Sequence, residues 1–406
     1  MQKVVIAKPY RFVPPRHGNF WPGLLRPLVP LYLRYGYGFT SVTCRGVDRL
    51  RASLQAGHSI MLTANHCRPA DPFVIGTLAG EARCYLYFMA SWHLFKQNPF
   101  YGWILPRGGA FSIHREGVDR EGLKGAIRLV TAARRPLLIF PEGVLTRHND
   151  RLNHLMEGAA IIARAAARQR ASLAPPGRVV VHPIAIRYLF DGDLEATVTP
   201  VLEEIEARLT WRPQRDLPLL QRVLKVGQAM LALKEIEYLG EPQSGAIAPR
   251  VQHLIDRLLF PLEEELLKSR GAGDVIRRVK TLRKAIVPDL TTDARTRKKQ
   301  DRREQHLADL YLAQQLSNYP AGYFTPAPTP ERILETVERF EEDMTDRARV
   351  HSPMRALVDV GEAIEVSPEI EQEGSEGDPL MGEIGKRLTD LLASSLAEVH
   401  PGARML

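Results

Sequence analysis

Two side chains five residues apart, His66 and Asp71, have the clearest chemical potential in this chain. They lie in the run Asn65-His66-Cys67-Arg68-Pro69-Ala70-Asp71-Pro72. A turn of this length can bring the carboxylate onto one ring nitrogen, fixing the tautomer and leaving the other nitrogen as a general base. The same residues also read as a loop histidine beside a capping aspartate, because Asp-Pro is a good helix start, with Asp71 at the cap and Pro72 first in the helix. Cys67 is poorly placed to be a nucleophile served by His66, since adjacent side chains diverge, and it reads as a small buried thiol. The chain contains no Gly-x-Ser-x-Gly, no Gly-x-x-x-x-Gly-Lys and no His-Glu-x-x-His. His93, His114, His148, His154 and His182 lack ligand spacing with one another, so no metal site is expected.

Three further segments bear on the choice between these readings. Gly109-Ala110-Phe111-Ser112-Ile113-His114-Arg115 ends an apolar run with a guanidinium. Phe140-Pro141-Glu142-Gly143-Val144-Leu145-Thr146-Arg147 follows another such run, and its Gly, Thr and Arg can wrap an anion. Val181-His182-Pro183-Ile184-Ala185 sets a proline inside a third run, which suggests an edge or a bulge. With these blocks in this order, the chain resembles the glycerolipid acyltransferases. Their signature is His-x-x-x-x-Asp, Gly-x-x-x-x-x-Arg, Phe-Pro-Glu-Gly with a following Thr/Ser-Arg, and an apolar strand containing Pro. The resemblance covers roughly residues 20 to 210.

The resemblance implies that His66 deprotonates an acceptor hydroxyl while Asp71 orients it, with no covalent acyl-enzyme. It assigns Arg115, Glu142, Gly143, Thr146 and Arg147 to substrate binding, with a forked arginine contact on the acceptor phosphate. The chain departs from the commonest pattern by placing Val144-Leu145 between Gly143 and Thr146, which leaves Arg147 and Arg115 as alternative phosphate ligands. The implied enzyme is an O-acyltransferase of phospholipid biosynthesis, similar to those that acylate 1-acylglycerol 3-phosphate. The donor is acyl-CoA or acyl carrier protein, the acceptor a lysophospholipid or glycerol phosphate, and no bound cofactor is needed. A non-catalytic lipid-binding or membrane-scaffolding protein is the alternative from another class.

The elements that must position these residues follow from periodicity. Short apolar runs at Ser59–Ala64, Cys84–Ala90, Gly109–His114, Pro136–Phe140 and Arg178–Arg187 predict strands. Helical spacing of Leu123, Ala126, Ile127 and Val130, and of Leu155, Ala159, Ile162 and Ala166, predicts helices between them. The expected fold class is α/β, a mixed sheet flanked by helices with a helical C-terminal region. His66 and Asp71 then fall at the carboxyl end of a strand, where open α/β sheets place their ligands.

Beyond Leu217 helical patterns take over and the β-rich runs vanish. No internal repeat is apparent. The sequence divides into residues 1–40, a membrane-interface or packing segment; 41–215, the catalytic domain; 216–318, helical and basic; and 319–406, a Pro-rich linker and an acidic tail, helical and partly disordered. Asp274 to Arg303 carries eleven Lys and Arg against four Asp, and Glu331 to Asp378 fifteen acids against five bases. The basic run lacks interleaved aromatics, so nucleic acid is not expected as a partner.

The net charge of +8 favours an anionic partner. Three cysteines without paired spacing suit a reducing compartment. No secretory signal and no spanning apolar window are apparent. Phe20 to Phe39 combines Trp21, Tyr32, Tyr35 and Tyr37 with Arg26 and Arg34 on an apolar ribbon, a composition suited either to a bilayer interface or to packing on the core. The expected location is cytoplasmic, peripheral at the inner face of the membrane.

Overall fold

The computed structural model describes residues 10–114, 119–292, 297–324, 327–347, 349–369 and 377–406. The chain forms two compact units. One comprises Tyr10–His114, Val118–Gly192 and Val350–Leu406, and the other consists chiefly of Asp193–Arg349.

The first unit opens with α1 (Phe20–Leu25) and α2 (Val29–Tyr37). A 3-10 turn over Arg26–Leu28 separates them, where Pro27 and Pro30 interrupt the N–H series. Then come β1 (Phe39–Arg45), α3 (Val47–Gln55), β2 (Ser59–Ala64), α4 (Asp71–Glu81), β3 (Tyr87–Ser91), α5 (Trp92–Gln97), α6 (Pro99–Gly108), β4 (Ala110–Ile113), α7 (Arg120–Ala132), β5 (Leu137–Ile139), α8 (Gly158–Ala171) and β6 (Val179–Phe190). The chain next builds the helices of the second unit: α9 (Leu194–Arg208), α10 (Leu219–Leu239), α11 (Ile247–Leu267), α12 (Val275–Thr292), α13 (Arg297–Leu316) and α14 (Pro330–Thr345). It returns to the first unit as β7 (Met354–Val360), β8 (Ile364–Glu365) and α15 (Pro379–Val399).

The strands form one mixed sheet flanked by helices, in the order β1-β7-β6-β2-β5-β3-β4, with β8 beside β6. β6, β2, β5, β3 and β4 run parallel, so their carboxyl ends share one edge. β2 and β6 are buried at every position, which is why they read as continuous apolar runs rather than alternating ones. On one face Met61, Phe111, Leu137, Val179 and Val181 pack with Leu129 of α7, Ile162 of α8 and Ile384 and Leu388 of α15.

Two strand expectations need correction. The β pattern does not end before residue 217: β7 lies between β1 and β6, parallel to the first and antiparallel to the second. Its Arg355 and Asp359 disguise it within an acidic stretch, and each finds an ion partner in the folded unit, Asp191 and Arg45 respectively. Nor is the proline-bearing strand at an edge. Pro183 lies where the antiparallel partner of β6 changes, β8 pairing with Val180 and Val181 and β7 with Ile184 onward. No ladder donor is needed there, and the Pro183 carbonyl accepts from Gly361 N–H at 2.8 Å.

The return of residues 350–406 also means that the compact units cut across the division at 215 and 318 read from the sequence. The stretch expected to be disordered, Ser367 to Pro379, includes residues 370–376, which lie outside the described residues. At its end Asp378 caps α15 through Leu380 N–H and takes a two-pronged contact from Arg164 of α8, at 2.8 and 2.7 Å.

The second unit holds a recurrence that the sequence did not disclose. Glu206 of α9 receives Nε and Nη2 of Arg222, both at 2.7 Å, and the N–H of Gln214. Glu235 of α10 receives the same two atoms of Arg250, at 2.9 and 2.7 Å, and the N–H of Gln243. Glu263 of α11 receives Arg278 of α12 at 2.7 and 3.1 Å. In each case a left-handed residue (Thr210, Gly240 or Lys268) ends the helix shortly after the glutamate. Successive helices are thus joined by a fully buried carboxylate and a forked guanidinium. The Glu and the Arg recur at all three junctions and a Pro-Gln pair at the first two, Pro213-Gln214 and Pro242-Gln243, too sparse a set for composition or hydrophobic periodicity to reveal.

Candidate active site

The site is built on the shared carboxyl edge of β2, β5 and β6. Pairing of β2 with β6 stops at Ala64 and Ile184, yet the same side of β6 stays hydrogen-bonded beyond that point. The Asn65 amide accepts from Ile186 N–H at 2.7 Å and donates to its carbonyl at 2.9 Å. The Asn149 amide does the same to Tyr188, at 2.9 and 2.6 Å. Two side chains therefore continue the ladder where the strand has ended and satisfy backbone groups that burial would otherwise penalise.

His66 follows Asn65 and is held at both ends of its backbone. Its N–H donates to Glu142 Oε1 at 2.8 Å, and its carbonyl accepts from Thr146 N–H at 2.8 Å and from the Thr146 hydroxyl at 3.1 Å. The ring stacks on Phe140, centroids 4.1 Å apart and planes at 17°. Its Nδ1 meets Asp71 Oδ2 at 2.7 Å, with the His66 side chain 15% exposed and Asp71 fully buried. An ionised Asp71 accepts, so Nδ1 carries the ring hydrogen and Nε2 presents its lone pair.

Asp71 is not the N-cap of α4. It is the first helical residue, and its carboxylate turns back into the loop. The Arg68 N–H donates to both its oxygens, at 3.2 and 3.1 Å, and the Tyr188 hydroxyl donates to Oδ1. Pro72 is then second in the helix, where its missing N–H costs nothing.

The Phe-Pro-Glu-Gly block is the other half of the frame. Glu142 is buried, and its second oxygen accepts Asn153 N–H at 2.9 Å. Burial pushes its carboxyl up to about 7, against the opposing pull of the Asn153 and His66 N–H groups. Gly143 has φ of +71°, and a Cβ there would meet the Met156 side chain at 2.5 Å, so the turn requires glycine. The loop beyond is fixed by Asn149 and by the buried ion pair of Asp150 with Arg187 at 2.5 Å.

Of the residues expected at the site, the structure gathers His66, Asp71, Glu142 and Thr146 into one network. Both oxygens of Glu142 are occupied by backbone N–H groups, and Thr146 is engaged with His66. Arg147 comes next, half-buried, with φ of +59°. Arg115 lies outside the described residues. Sequence reasoning missed Tyr188, Asn65, Asn149 and the Arg187–Asp150 pair. Asn65 could have been suspected as an amide between a strand and the histidine; the others are partners only through the fold.

The family model described as Acyltransferase matches residues 41–187. Residues 41–187 form an acyltransferase-family domain. All four motif blocks fall inside this acyltransferase domain, and the resemblance to glycerolipid acyltransferases holds. A 1-acyl-sn-glycerol-3-phosphate acyltransferase of Streptococcus pneumoniae is 38% identical over 79 residues, 20% of this chain. The chain spans 28% of the length of that relative. No solved structure matches. The match to the acyltransferase domain stops one residue before Tyr188, so β7, α15 and the last turn of contacts around Asp71 lie beyond it.

Proposed function

We propose that the protein transfers a fatty acyl group from acyl-CoA or acyl carrier protein to a hydroxyl of a lysophospholipid or glycerol phosphate. The carrying observation is the His66 Nδ1 contact with buried Asp71, inside a domain of the acyltransferase family. His66 Nε2 takes the proton of the acceptor hydroxyl as its oxygen attacks the thioester carbonyl. The C–O bond forms, the C–S bond breaks, and the imidazolium returns the proton to the departing thiolate. General-base assistance of this kind is worth roughly 10²- to 10⁴-fold in rate. Arg147 and Arg115 are the candidates for the acceptor phosphate.

The proposed setting is a membrane surface, approached peripherally from the cytoplasmic side. Among the described residues no helix is long and apolar enough to cross a membrane. Phe20, Leu24, Leu28, Leu31 and Tyr35 of the α1–α2 segment are exposed, and so are Phe100 and Trp103 of α6. The two groups join through an edge-on contact of Trp21 with Trp103 at 5.0 Å, and Arg107 lies over both rings. No Asp or Glu occurs from Met1 to Val47 or from Ala82 to Arg115. Aromatic side chains rimmed by arginine and free of acids suit an anionic bilayer interface. Tyr32 and Tyr37 also rest on Phe73 of α4, the helix that begins at Asp71, which supports a membrane-facing site.

The deciding experiment incubates the full chain with labelled acyl-CoA or acyl carrier protein and a panel of acceptors, and identifies products by mass spectrometry. Vesicle binding without turnover on any acceptor favours the lipid-binding alternative and removes this one.

A further inference from the structure

The charge on Asp71 is held from two sides. One is the histidine loop, through His66 Nδ1 and Arg68 N–H. The other is β6, through the hydroxyl of Tyr188, a residue with no exposed surface. Burial, followed by the Asp71 charge, raises the Tyr188 hydroxyl well above its ordinary value, so it stays protonated and donates at every working pH.

Tyr188 has little freedom to leave. Its own N–H and carbonyl are occupied by Asn149, and β6 is paired along its other side with β7, Tyr188 opposite Ala356. Next to it, Arg187 reaches Asp150, the Ser395 hydroxyl at 2.9 Å and the Leu392 carbonyl at 2.6 Å, the last two on α15. The strand behind Asp71 is therefore anchored by β7 and α15, which come from the C-terminal return of the chain.

We infer that Tyr188 is a positioning residue of the His66–Asp71 pair, setting the orientation and basicity of Asp71 and, through it, of His66. The inference rests on the reading of His66 as general base. A carboxylate that accepts an O–H is a weaker acceptor toward its other partner, so Tyr188 restrains how strongly Asp71 holds the proton on His66 Nδ1. Without that donor Asp71 Oδ1 keeps only the long contact from Arg68 N–H. The imidazolium form of His66 then gains stability, and the carboxylate can turn. The other ionisable groups around the pair, among the described residues, include Glu142, Cys67, Arg68, which lies over the Tyr188 ring, and Tyr37 of α2, which feels the Asp71 charge. None of these donates a side-chain hydrogen bond to Asp71 Oδ1 in its place.

The test is Tyr188→Phe in the full chain, assayed for kcat, KM and the pH profile of kcat/KM. The expected result is a fall in kcat of about tenfold, with KM for the donor little changed and the acid limb displaced to higher pH. In a His66→Ala background the same change should cost nothing further, because residues acting through one another are not additive. A phenylalanine variant with normal kcat and an unmoved acid limb overturns the inference while His66 stands as base. Normal turnover of His66→Ala alone overturns the reading beneath it. If Tyr188→Phe does not fold, 3-fluorotyrosine placed at 188 supplies the same decision. Its more acidic hydroxyl donates more strongly and should move the limb to lower pH, and an unmoved limb overturns the inference.

Discussion

The Glu142 carboxylate joins the loop after β2 to the loop after β5, accepting the N–H of His66 on one oxygen and the N–H of Asn153 on the other. A glutamine cannot accept on both sides, so Glu142→Gln should release one of these loops, at about 1–3 kcal/mol for the donor left unpaired. The pH dependence adds a second readout. The folded state holds the Glu142 proton up to about 7, against 4.5 for an ordinary glutamate. Between those values the folded protein binds more protons than the unfolded chain, so stability contributed here falls as pH rises and levels off above about 7. The stability gap between wild type and Glu142→Gln should therefore shrink, by up to about 3 kcal/mol, from pH 4.5 to 7. A gap that stays constant in denaturant titrations across that range rules out the buried proton.

His66→Ala should lower kcat by about 10²- to 10⁴-fold while keeping the circular dichroism of the folded protein, with some loss of melting temperature because buried Asp71 loses its partner. The backbone N–H and carbonyl of residue 66 keep Glu142 and Thr146 in place, while buried Asp71 and the face of Phe140 lose the ring. Near-normal turnover ends the mechanism proposed above.

Arg147→Ala should reduce kcat/KM about 10- to 150-fold for a phosphorylated acceptor, if this arginine makes the charge-assisted contact worth about 1.5–3 kcal/mol. An acceptor without phosphate should lose little. Arg147→Lys should rescue only partly, because lysine keeps the charge and lacks the fork. The same loss seen in Arg115→Ala instead moves the phosphate to that residue. Equal behaviour of both acceptors in both variants excludes a phosphomonoester.

Phe100→Ser with Trp103→Ser should weaken sedimentation with anionic vesicles, as should Trp21→Ser with Tyr32→Ser, and neutral vesicles should bind less from the outset. Melting temperature should change more for the second pair, because Tyr32 packs on Phe73 whereas Phe100 is 62% exposed. Unchanged partitioning of both pairs assigns this surface to packing.

Glu235→Gln should destabilise the second unit by about 1.5–3 kcal/mol, since it removes a charge-assisted fork between fully buried Glu235 and half-buried Arg250. Hydrogen exchange should rise first in α10 and α11. Exchange rates indistinguishable from wild type in those helices reduce the clamp to a bystander.

What the sequence determined by itself was local. His66 and Asp71 lie five residues apart in one loop, and their meeting follows from a strand, a short turn and a helix start, all legible in composition. Phe140 to Gly143 is likewise one turn, and its glycine is explained by the left-handed φ that the turn needs. Strands β2 to β6 were legible as apolar runs, most clearly β2 and β6, which are buried at every position, whereas half-exposed β1 was not. Tertiary structure decided what is distant in sequence. Tyr188 is 117 residues from Asp71, and Asn149 is 39 from Tyr188. β7 enters the sheet after an inserted helical unit, so no local pattern announces its neighbours. Arg355 and Asp359 looked like part of an acidic tail until Asp191 and Arg45 were beside them. The buried Glu–Arg clamps were hidden for the same reason, because charge in a sequence reads as exposure, and only the fold shows where an opposite charge has replaced water.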